Sequence, residues 1–445
     1  MTILETLAEK LAGLGSNRLA PDCRESLDIH IMDTVCACLA GSMTPDGQAV
    51  RNFTSRSTMT TSPLDDVTAA VAMTRLSEID DIHLASGTTP GSIIVPTAIV
   101  LAKHLGIDDA PRFAAAVTAG YEAMTRLGAA ARGHGLVYKG VWTTYFTAPF
   151  GAAAVCARLL ELAPGKTAHA LAIALSMLAG RAGTAGADKT SRWLLAGSAA
   201  RTGCTAALFA EDGFTGDTGL LDGDWFETAQ GLEIDREAFL PGREATVLPE
   251  ISIKPYCSAK QMIAAIAGFE DLLAGGIDPD EIEAVTVSVP ESYARMIDHG
   301  TQPGNRLSSL TSAPYQLALA AYHRDGLFDV AREQFVESDA ITALMGKVSV
   351  EVDGELARHL PDNWPGRVSI DAGGQRHSVT VVDAPGDPKA AFERTQAMEK
   401  FHHFTDNLIG PDAAGDWIEM ALAAASDDAA LARLQDRFLG LVPNP

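Results

Sequence analysis

Basic residues are scarce in this chain of 445 residues: 34 lysines and arginines stand against 57 aspartates and glutamates, a formal net charge of −23. A polyanion of this kind repels phosphate backbones and anionic lipid, so neither nucleic acid nor a membrane surface is an expected partner. An acidic substrate would have to be met by a local basic pocket working against the overall field, which makes clustered Lys and Arg worth locating. Long hydrophobic runs are missing, and no stretch reaches the length of a bilayer span. The first ten residues, Met1 to Lys10, read as an amphipathic helix start and not as a signal or transit peptide. Only six cysteines occur, none of them in a Cys-x-x-Cys pair, and most lie in Ala-rich apolar runs. Reduced core thiols in a cytoplasmic protein are therefore expected. There is no Gly-x-Gly-x-x-Gly after a strand, no phosphate-loop motif and no Gly-x-Ser-x-Gly elbow. His402-His403 and Asp81-x-His83 lack the further ligands of a zinc site, so no metal is expected.

Hydrophobic residues make up 47% of the chain, enough to bury a substantial core, and the length fits two domains. From residue 1 to about 240 the apolar positions recur three and four apart, as in Leu27 to Leu39, Arg112 to Leu127, Pro149 to Leu162, Ala168 to Ala179 and Gly197 to Glu211. Ala-rich faces predict close helix packing. The character changes after Pro241-Gly242. Period-two alternation over 283–290, 347–353, 367–371 and 376–383 predicts strands, with Ala372-Gly373-Gly374-Gln375 as a hairpin turn. Helical stretches at Ala259 to Ala274 and Ser312 to Tyr322 lie between them. Past Pro385-Gly386-Asp387-Pro388 helices return, over Lys389 to Leu408 and Ala413 to Phe438. The expected fold is mainly α: a large helical domain of residues 1–242 plus 389–445, and an inserted α+β domain of residues 243–388 with a mostly antiparallel sheet.

Four clusters could carry chemistry. Glu78-Ile79-Asp80-Asp81-Ile82-His83 packs three carboxylates and an imidazole into six residues between two helices, a setting that suits a substrate cleft. An acidic helix end on the surface is the alternative. Lys254-Pro255-Tyr256-Cys257-Ser258-Ala259-Lys260-Gln261 brackets a helix start with two lysines and places Ser258 as its cap, an arrangement that binds anions unless the lysines are ordinary surface groups. Asp188-Lys189-Thr190-Ser191-Arg192-Trp193 offers a guanidinium fork to a carboxylate, or is a solvated capping loop. In Ser312-Ala313-Pro314-Tyr315, proline starts a helix and Tyr315 falls in its first turn, as a core residue or a catalytic one.

Several separated motifs together resemble the MmgE/PrpD family: Asp33-Thr34-Val35 through Leu39-Ala40-Gly41, Glu78 to Asp81 with Pro90-Gly91-Ser92, Gly151 to Ala154, Lys254-Pro255-Tyr256, Ser312 to Tyr315, and Pro385 to Pro388 with Lys400-Phe401. That family includes 2-methylcitrate dehydratase, cis-aconitate decarboxylase and iminodisuccinate epimerase. The resemblance implies an α+β lid inserted in the helical domain, a homodimer, and an active site between the two domains that uses neither metal nor organic cofactor. It implies proton transfer beside a carboxylate of a small di- or tricarboxylate, foremost dehydration, with decarboxylation or epimerisation as alternatives. Asp80, Asp81, Lys254 and Tyr315 match the family pattern. Glu78 replaces its leading aspartate, Ile82 a threonine and Thr89 a histidine; Arg192 stands for its lysine and Leu195 for a further histidine. The histidine that follows the Lys254 motif is also missing, with Lys260-Gln261 nearby. The expected catalytic groups are His83, Asp80, Asp81, Lys254 and Tyr315, with His83 set beside the two aspartates. Glu78, Thr89, Arg192 and Lys260 are expected to contact the substrate. Loss of family histidines also admits a protein that binds carboxylates without converting them.

Overall fold

The structure is a computed structural model that describes residues 1–15, 19–56, 62–178, 189–239, 246–301, 305–332 and 338–442. Ala179, Asp188 and Pro241-Gly242, singled out above, lie outside the described residues. The chain forms two compact units, one of Met1–Thr184, Thr190–Ile251 and Glu393–Pro445, the other of Ala185–Lys189 and Ser252–Phe392.

The first unit is helical. Its helices are α1 (Ile3–Ala12), α2 (Pro21–Ser42), α3 (Pro45–Thr54), α4 (Pro63–Leu76), α5 (Gly91–His104), α6 (Ala110–Ala130), α7 (Thr143–Leu159), α8 (Pro164–Ser176), α9 (Ser191–Glu211) and α10 (Trp225–Gln230). After the residues of the second unit come α16 (Arg394–Ile409), α17 (Pro411–Ala423) and α18 (Asp428–Leu439). Local chemistry sets many starts. Thr2 and Glu5 form a reciprocal capping box at α1, Ser62 and Asp65 do the same at α4, and proline opens α2, α3, α4, α8 and α17.

The middle helices are buried around most of their circumference because Ala and Gly let them approach closely. A Cβ on Gly203 of α9 would lie 2.1 Å from the Pro149 carbonyl of α7, and one on Gly197 would lie 2.2 Å from the Thr68 carbonyl of α4. Larger side chains fill the gaps, among them Phe146, Phe150, Phe226 and Phe239, all buried. Each such side chain contributes roughly 1.5–3 kcal/mol by leaving water. The six cysteines are buried free thiols, as the Ala-rich settings of most of them predict.

Two of the differences from the helix bounds read in the sequence have a clear local cause. Pro149 does not open α7 but sits inside it, with the helix beginning at Thr143. Proline removes one backbone donor, which a long buried helix tolerates when its surroundings hold it. The predicted helix from Ala413 to Phe438 is two helices, because Asp427 accepts a hydrogen bond from the Ala430 N–H at 2.8 Å and caps a fresh start.

The second unit is α+β. It holds α11 (Lys260–Ala274), β1 (Ile282–Val289), α12 (Glu291–Ile297), α13 (Arg306–Thr311), α14 (Ala313–Tyr322), α15 (Asp339–Met345), β2 (Val348–Val352), β3 (Gly366–Ala372) and β4 (Gln375–Val381). The strands run in the order β2-β1-β3-β4. β1 pairs with β2 in parallel, Val287 opposite Val350, and with β3 antiparallel, Val287 opposite Val368. β3 and β4 form the predicted hairpin, in which Gly373 and Gly374 take φ of 56° and 70°, the left-handed pair that a two-residue turn demands. Val285, Val287, Val289, Val368 and Ile370 are buried. Among the described residues no helix is long and apolar enough to cross a membrane.

Candidate active site

The acidic segment follows α4 in the helical unit, and it is not a surface feature. Asp80 and Asp81 are fully buried and Glu78 nearly so. Burial of three carboxylates requires partners, and the segment has them. Arg75, in the last turn of α4, sends Nη1 to Glu78 Oε2 at 2.9 Å and to Asp80 Oδ1 at 3.2 Å. Burial works against the Arg75 charge, yet Asp80 and Glu78 outweigh it and hold this guanidinium above its ordinary pKa. The other Glu78 oxygen accepts Arg192 Nη2 at 2.5 Å and Trp193 Nε1 at 3.1 Å. Arg192 lies 5.0 Å from the ring centre of Trp142 and 5.5 Å from that of Trp193. Glu78 itself has φ of 62°, a conformation that costs a residue with a side chain of order 1–3 kcal/mol and persists where the surroundings over-determine it.

Within this ring of charge stands a residue the sequence reading missed. Tyr145, in the first turn of α7, is buried, stacks on Trp142 at 5.8 Å, and its hydroxyl has no hydrogen-bond partner. Burial pushes the Tyr145 pKa up, while Arg75 and Arg192 pull it down and Glu78 and Asp80 push it further up. No local motif marks Tyr145, because its significance arises from α9 being packed against both α4 and α7.

Asp81 has a different role. Its Oδ1 accepts the Gly91 N–H of α5 at 2.8 Å, its Oδ2 accepts the Tyr121 hydroxyl at 2.7 Å, and His30 Nδ1 lies 3.3 Å from Oδ2 at an angle too poor for a hydrogen bond. Close by, Lys400 Nζ joins Asp33 Oδ1 at 2.5 Å to the Ile79 carbonyl at 2.9 Å. Burial raises the Asp33 pKa, opposed by Lys400.

His83 is not beside Asp80 and Asp81, contrary to the sequence expectation; the imidazole next to Asp81 is His30. Ile82 and His83 are extended, the chain turns over 84–87, and His83 N donates to the Thr88 carbonyl at 2.8 Å, closing a tight loop. His83 Nδ1 then meets Ser86 Oγ at 2.9 Å, and the carboxylate facing Nε2 is Glu250, at 3.9 Å. Ser86 Oγ also lies 2.6 Å from Thr88 Oγ1 and 3.3 Å from the His83 carbonyl. If its proton goes to either oxygen, Ser86 accepts from Nδ1 and leaves Nε2 as the basic nitrogen. Thr89 is also buried, and its backbone N–H donates to the Thr144 hydroxyl oxygen at 3.0 Å.

In the α+β unit the picture is also revised. α11 begins at Lys260 with Ala259 at its cap, so Ser258 does not cap it; the Ser258 hydroxyl is buried without a hydrogen-bond partner. Lys254 and Lys260 are buried, not surface lysines. Lys260 is paired with Asp387, whose other oxygen accepts the Ala384 N–H at 3.0 Å. Tyr315 is buried in the first turn of α14, which Ser312 caps by accepting the Tyr315 N–H at 3.3 Å. Thus Glu78, Asp80, Asp81, His83, Thr89 and Arg192 belong to the helical unit, and Lys254, Lys260 and Tyr315 to the α+β unit.

The MmgE/PrpD N-terminal domain matches residues 5–233 and the MmgE/PrpD C-terminal domain matches residues 256–425. The chain belongs to the MmgE/PrpD family. MmgE/PrpD proteins are generally lyases and dehydratases. No curated protein matches the chain. Within the MmgE/PrpD N-terminal match lie the Arg75, Glu78, Asp80, Tyr145 and Arg192 cluster and His83; within the C-terminal match lie Lys260 and Tyr315, with Lys254 just before it. Among the described residues no group of three or more His, Cys, Asp or Glu is arranged to hold a metal ion.

Proposed function

We propose that this MmgE/PrpD protein is a lyase that removes water from a small hydroxylated di- or tricarboxylate by taking a proton from the carbon next to a carboxylate. Decarboxylation or epimerisation would use the same proton chemistry on a related acid. The observation that carries the reading is the Tyr145 hydroxyl, buried without a partner among Arg75, Arg192, Glu78 and Asp80. Deprotonation next to a carboxylate builds enolate-like charge, and two fixed guanidiniums in a site poor in water stabilise such charge without having to reorganise.

A base must receive the carbon-bound proton, and the departing hydroxyl must gain one. His83 Nε2 is the proposed base, since the Ser86 contact at Nδ1 favours that tautomer. Tyr145 is the proposed donor to the departing oxygen, so that the C–O bond breaks as water forms. Asp80 and Glu78 hold the guanidiniums, and Asp81 fixes the start of α5. Lys254 and Tyr315, in the α+β unit, are proposed for substrate contact on chemical grounds, an ammonium for a carboxylate and a phenol for a substrate oxygen.

Incubation with citrate, methylcitrate, aconitate, itaconate and iminodisuccinate, with product analysis, tests the reading. Conversion of one of them is expected, and His83→Ala should lower turnover by about 10²-fold, the size of a general acid–base contribution. If His83→Ala and Lys254→Ala each stay within a few-fold of wild type, those roles are wrong. A second reading, a carboxylate-binding protein without chemistry, is favoured by one observation: Thr89 and Leu195 stand where the family resemblance calls for histidines. Thermal stabilisation by these acids with no product would support it over the lyase.

A further inference from the structure

Several buried cations of the described structure are matched to carboxylates. Arg75 and Arg192 face Glu78, Lys260 faces Asp387, and Lys400 faces Asp33. Arg332, in the α+β unit, is buried to 4% exposure and is different. Its Nε donates to the Asp329 carbonyl at 3.2 Å, its Nη2 to the Cys257 carbonyl at 2.8 Å and its Nη1 to Ser309 Oγ at 3.5 Å, all neutral acceptors. Asp329, in the turn before it, spends its Oδ1 on the Arg332 backbone N–H at 3.0 Å. A guanidinium carries five N–H groups, so one on each terminal nitrogen has no described acceptor.

Two further polar atoms in the same place are left unsatisfied. Gln316 Nε2 reaches the Cys257 carbonyl at 3.5 Å and the Ser309 carbonyl at 2.9 Å, the residues that Arg332 also touches, while Gln316 Oε1 has no hydrogen-bond partner. Ser258, directly after Cys257, has a buried hydroxyl with no hydrogen-bond partner either. A buried charge hydrogen-bonded only to neutral acceptors and two unmatched buried polar atoms are costly in a folded protein. Arg332 also sits at φ of 41°, in the left-handed region.

We propose that Arg332, Ser258 and Gln316 form an oxyanion subsite that binds a hydroxycarboxylate. The two spare N–H groups of Arg332 take one carboxylate as a fork, the Ser258 hydroxyl donates to the same group, and Gln316 Oε1 accepts the ligand hydroxyl. Burial pushes the Arg332 pKa down from its ordinary value, against the opposing pull of Cys257, Tyr315 and Asp329, and a bound anion relieves that penalty. The subsite deepens the lyase reading by assigning part of the substrate to named groups, and it rests on that reading only for the choice of acid.

The simpler role for Arg332 is a clasp that ties the Cys257 turn to the Ser309 helix. A clasp predicts loss of stability on mutation but no linkage to anions. Calorimetric titration of the full chain with citrate, with tricarballylate, which is citrate without its hydroxyl, and with sulfate separates the two. Wild type is expected to bind citrate, with tricarballylate weaker by several-fold. Arg332→Gln should weaken citrate at least 10-fold, and Arg332→Lys should fall between. Should Arg332→Gln fail to fold, Ser258→Ala decides, because that hydroxyl bonds to nothing and its loss should leave the ligand-free melting temperature unchanged. A citrate affinity within twofold of wild type in Ser258→Ala, or in folded Arg332→Gln, overturns the subsite, as does a wild type that binds none of the three probes. Conversion of an acid with KM unchanged in Arg332→Gln removes the subsite alone; citrate binding that depends on Arg332 with no acid converted removes the lyase alone.

Discussion

Arg192 donates to Glu78 at 2.5 Å across 114 residues of chain. This pair fastens the first turn of α9 to the strained residue after α4, and it means that the guanidinium expected to grip a substrate grips the protein first. Both side chains are about nine-tenths buried. Removing one partner of such a pair strands the other, at a cost of roughly 3–5 kcal/mol, whereas removing both costs less. Glu78→Gln is therefore expected to destabilise by about 3 kcal/mol, and Glu78→Gln with Arg192→Met by less than the sum of the two single changes. Urea unfolding read by tryptophan fluorescence checks this directly, because Trp142 and Trp193 flank the pair. Additive losses would mean that the two residues do not act as a unit.

Tyr145→Phe separates chemistry from packing. A hydroxyl that bonds to nothing in the folded protein contributes no hydrogen bond to stability, so its removal is neutral or slightly favourable. The ring still stacks on Trp142. Turnover of the true substrate should fall by about 10²-fold with the melting temperature held, if the phenol supplies a proton. A variant that keeps full turnover would leave Tyr145 as packing only.

The helices, strands and hairpin were legible in the sequence because they rest on local rules: apolar spacing, prolines at first turns, and Gly373-Gly374 between alternating runs. The acidic cluster was legible as a list of residue types and not as an arrangement. Asp80, Asp81 and His83 are neighbours in sequence, yet His83 meets Ser86 and Glu250, and it is His30, from α2, that lies at Asp81. Arg75, Tyr145 and Arg332 escaped notice because each looks ordinary among its chain neighbours. Their unusual feature is burial beside, or away from, carboxylates supplied by other elements, which only the packed helices define. Ser258 failed as a cap because the helix begins one residue later than its motif suggests.

Stability should depend on pH through Asp28. Burial raises its pKa to about 6, opposed by Arg394. A carboxyl with a raised folded-state pKa holds its proton more tightly folded than unfolded, so its contribution is present at low pH and is lost as pH rises from about 4 through 6. Discounted for solvent screening, the change is roughly 1–2 kcal/mol. Asp28→Asn removes the titration. Its melting temperature relative to wild type should therefore climb between pH 4 and pH 7, and a flat difference across that range would contradict the assignment.

Gly91 is the position where a single methyl group should do the most damage near Asp81. A Cβ there would lie 2.6 Å from Thr34 Oγ1 and 2.7 Å and 2.8 Å from the two Asp81 oxygens. Neither neighbour can give way. Thr34 is bonded to the His30 carbonyl at 2.8 Å, and Asp81 is held by the Tyr121 hydroxyl and by the Gly91 N–H itself. Alanine must displace the carboxylate that fixes the start of α5, combining overpacking with the loss of buried hydrogen bonds to a charged group. A cost of about 3 kcal/mol or more is expected. Gly165→Ala provides the control, since nothing lies within 4 Å of the added methyl in the first turn of α8. That change should fall within about 1 kcal/mol of wild type, on the stabilising side. Comparison of the two melting curves isolates the steric effect from the general gain of replacing glycine in a helix, and equal behaviour of the two variants would show that Asp81 is not fixed against α5.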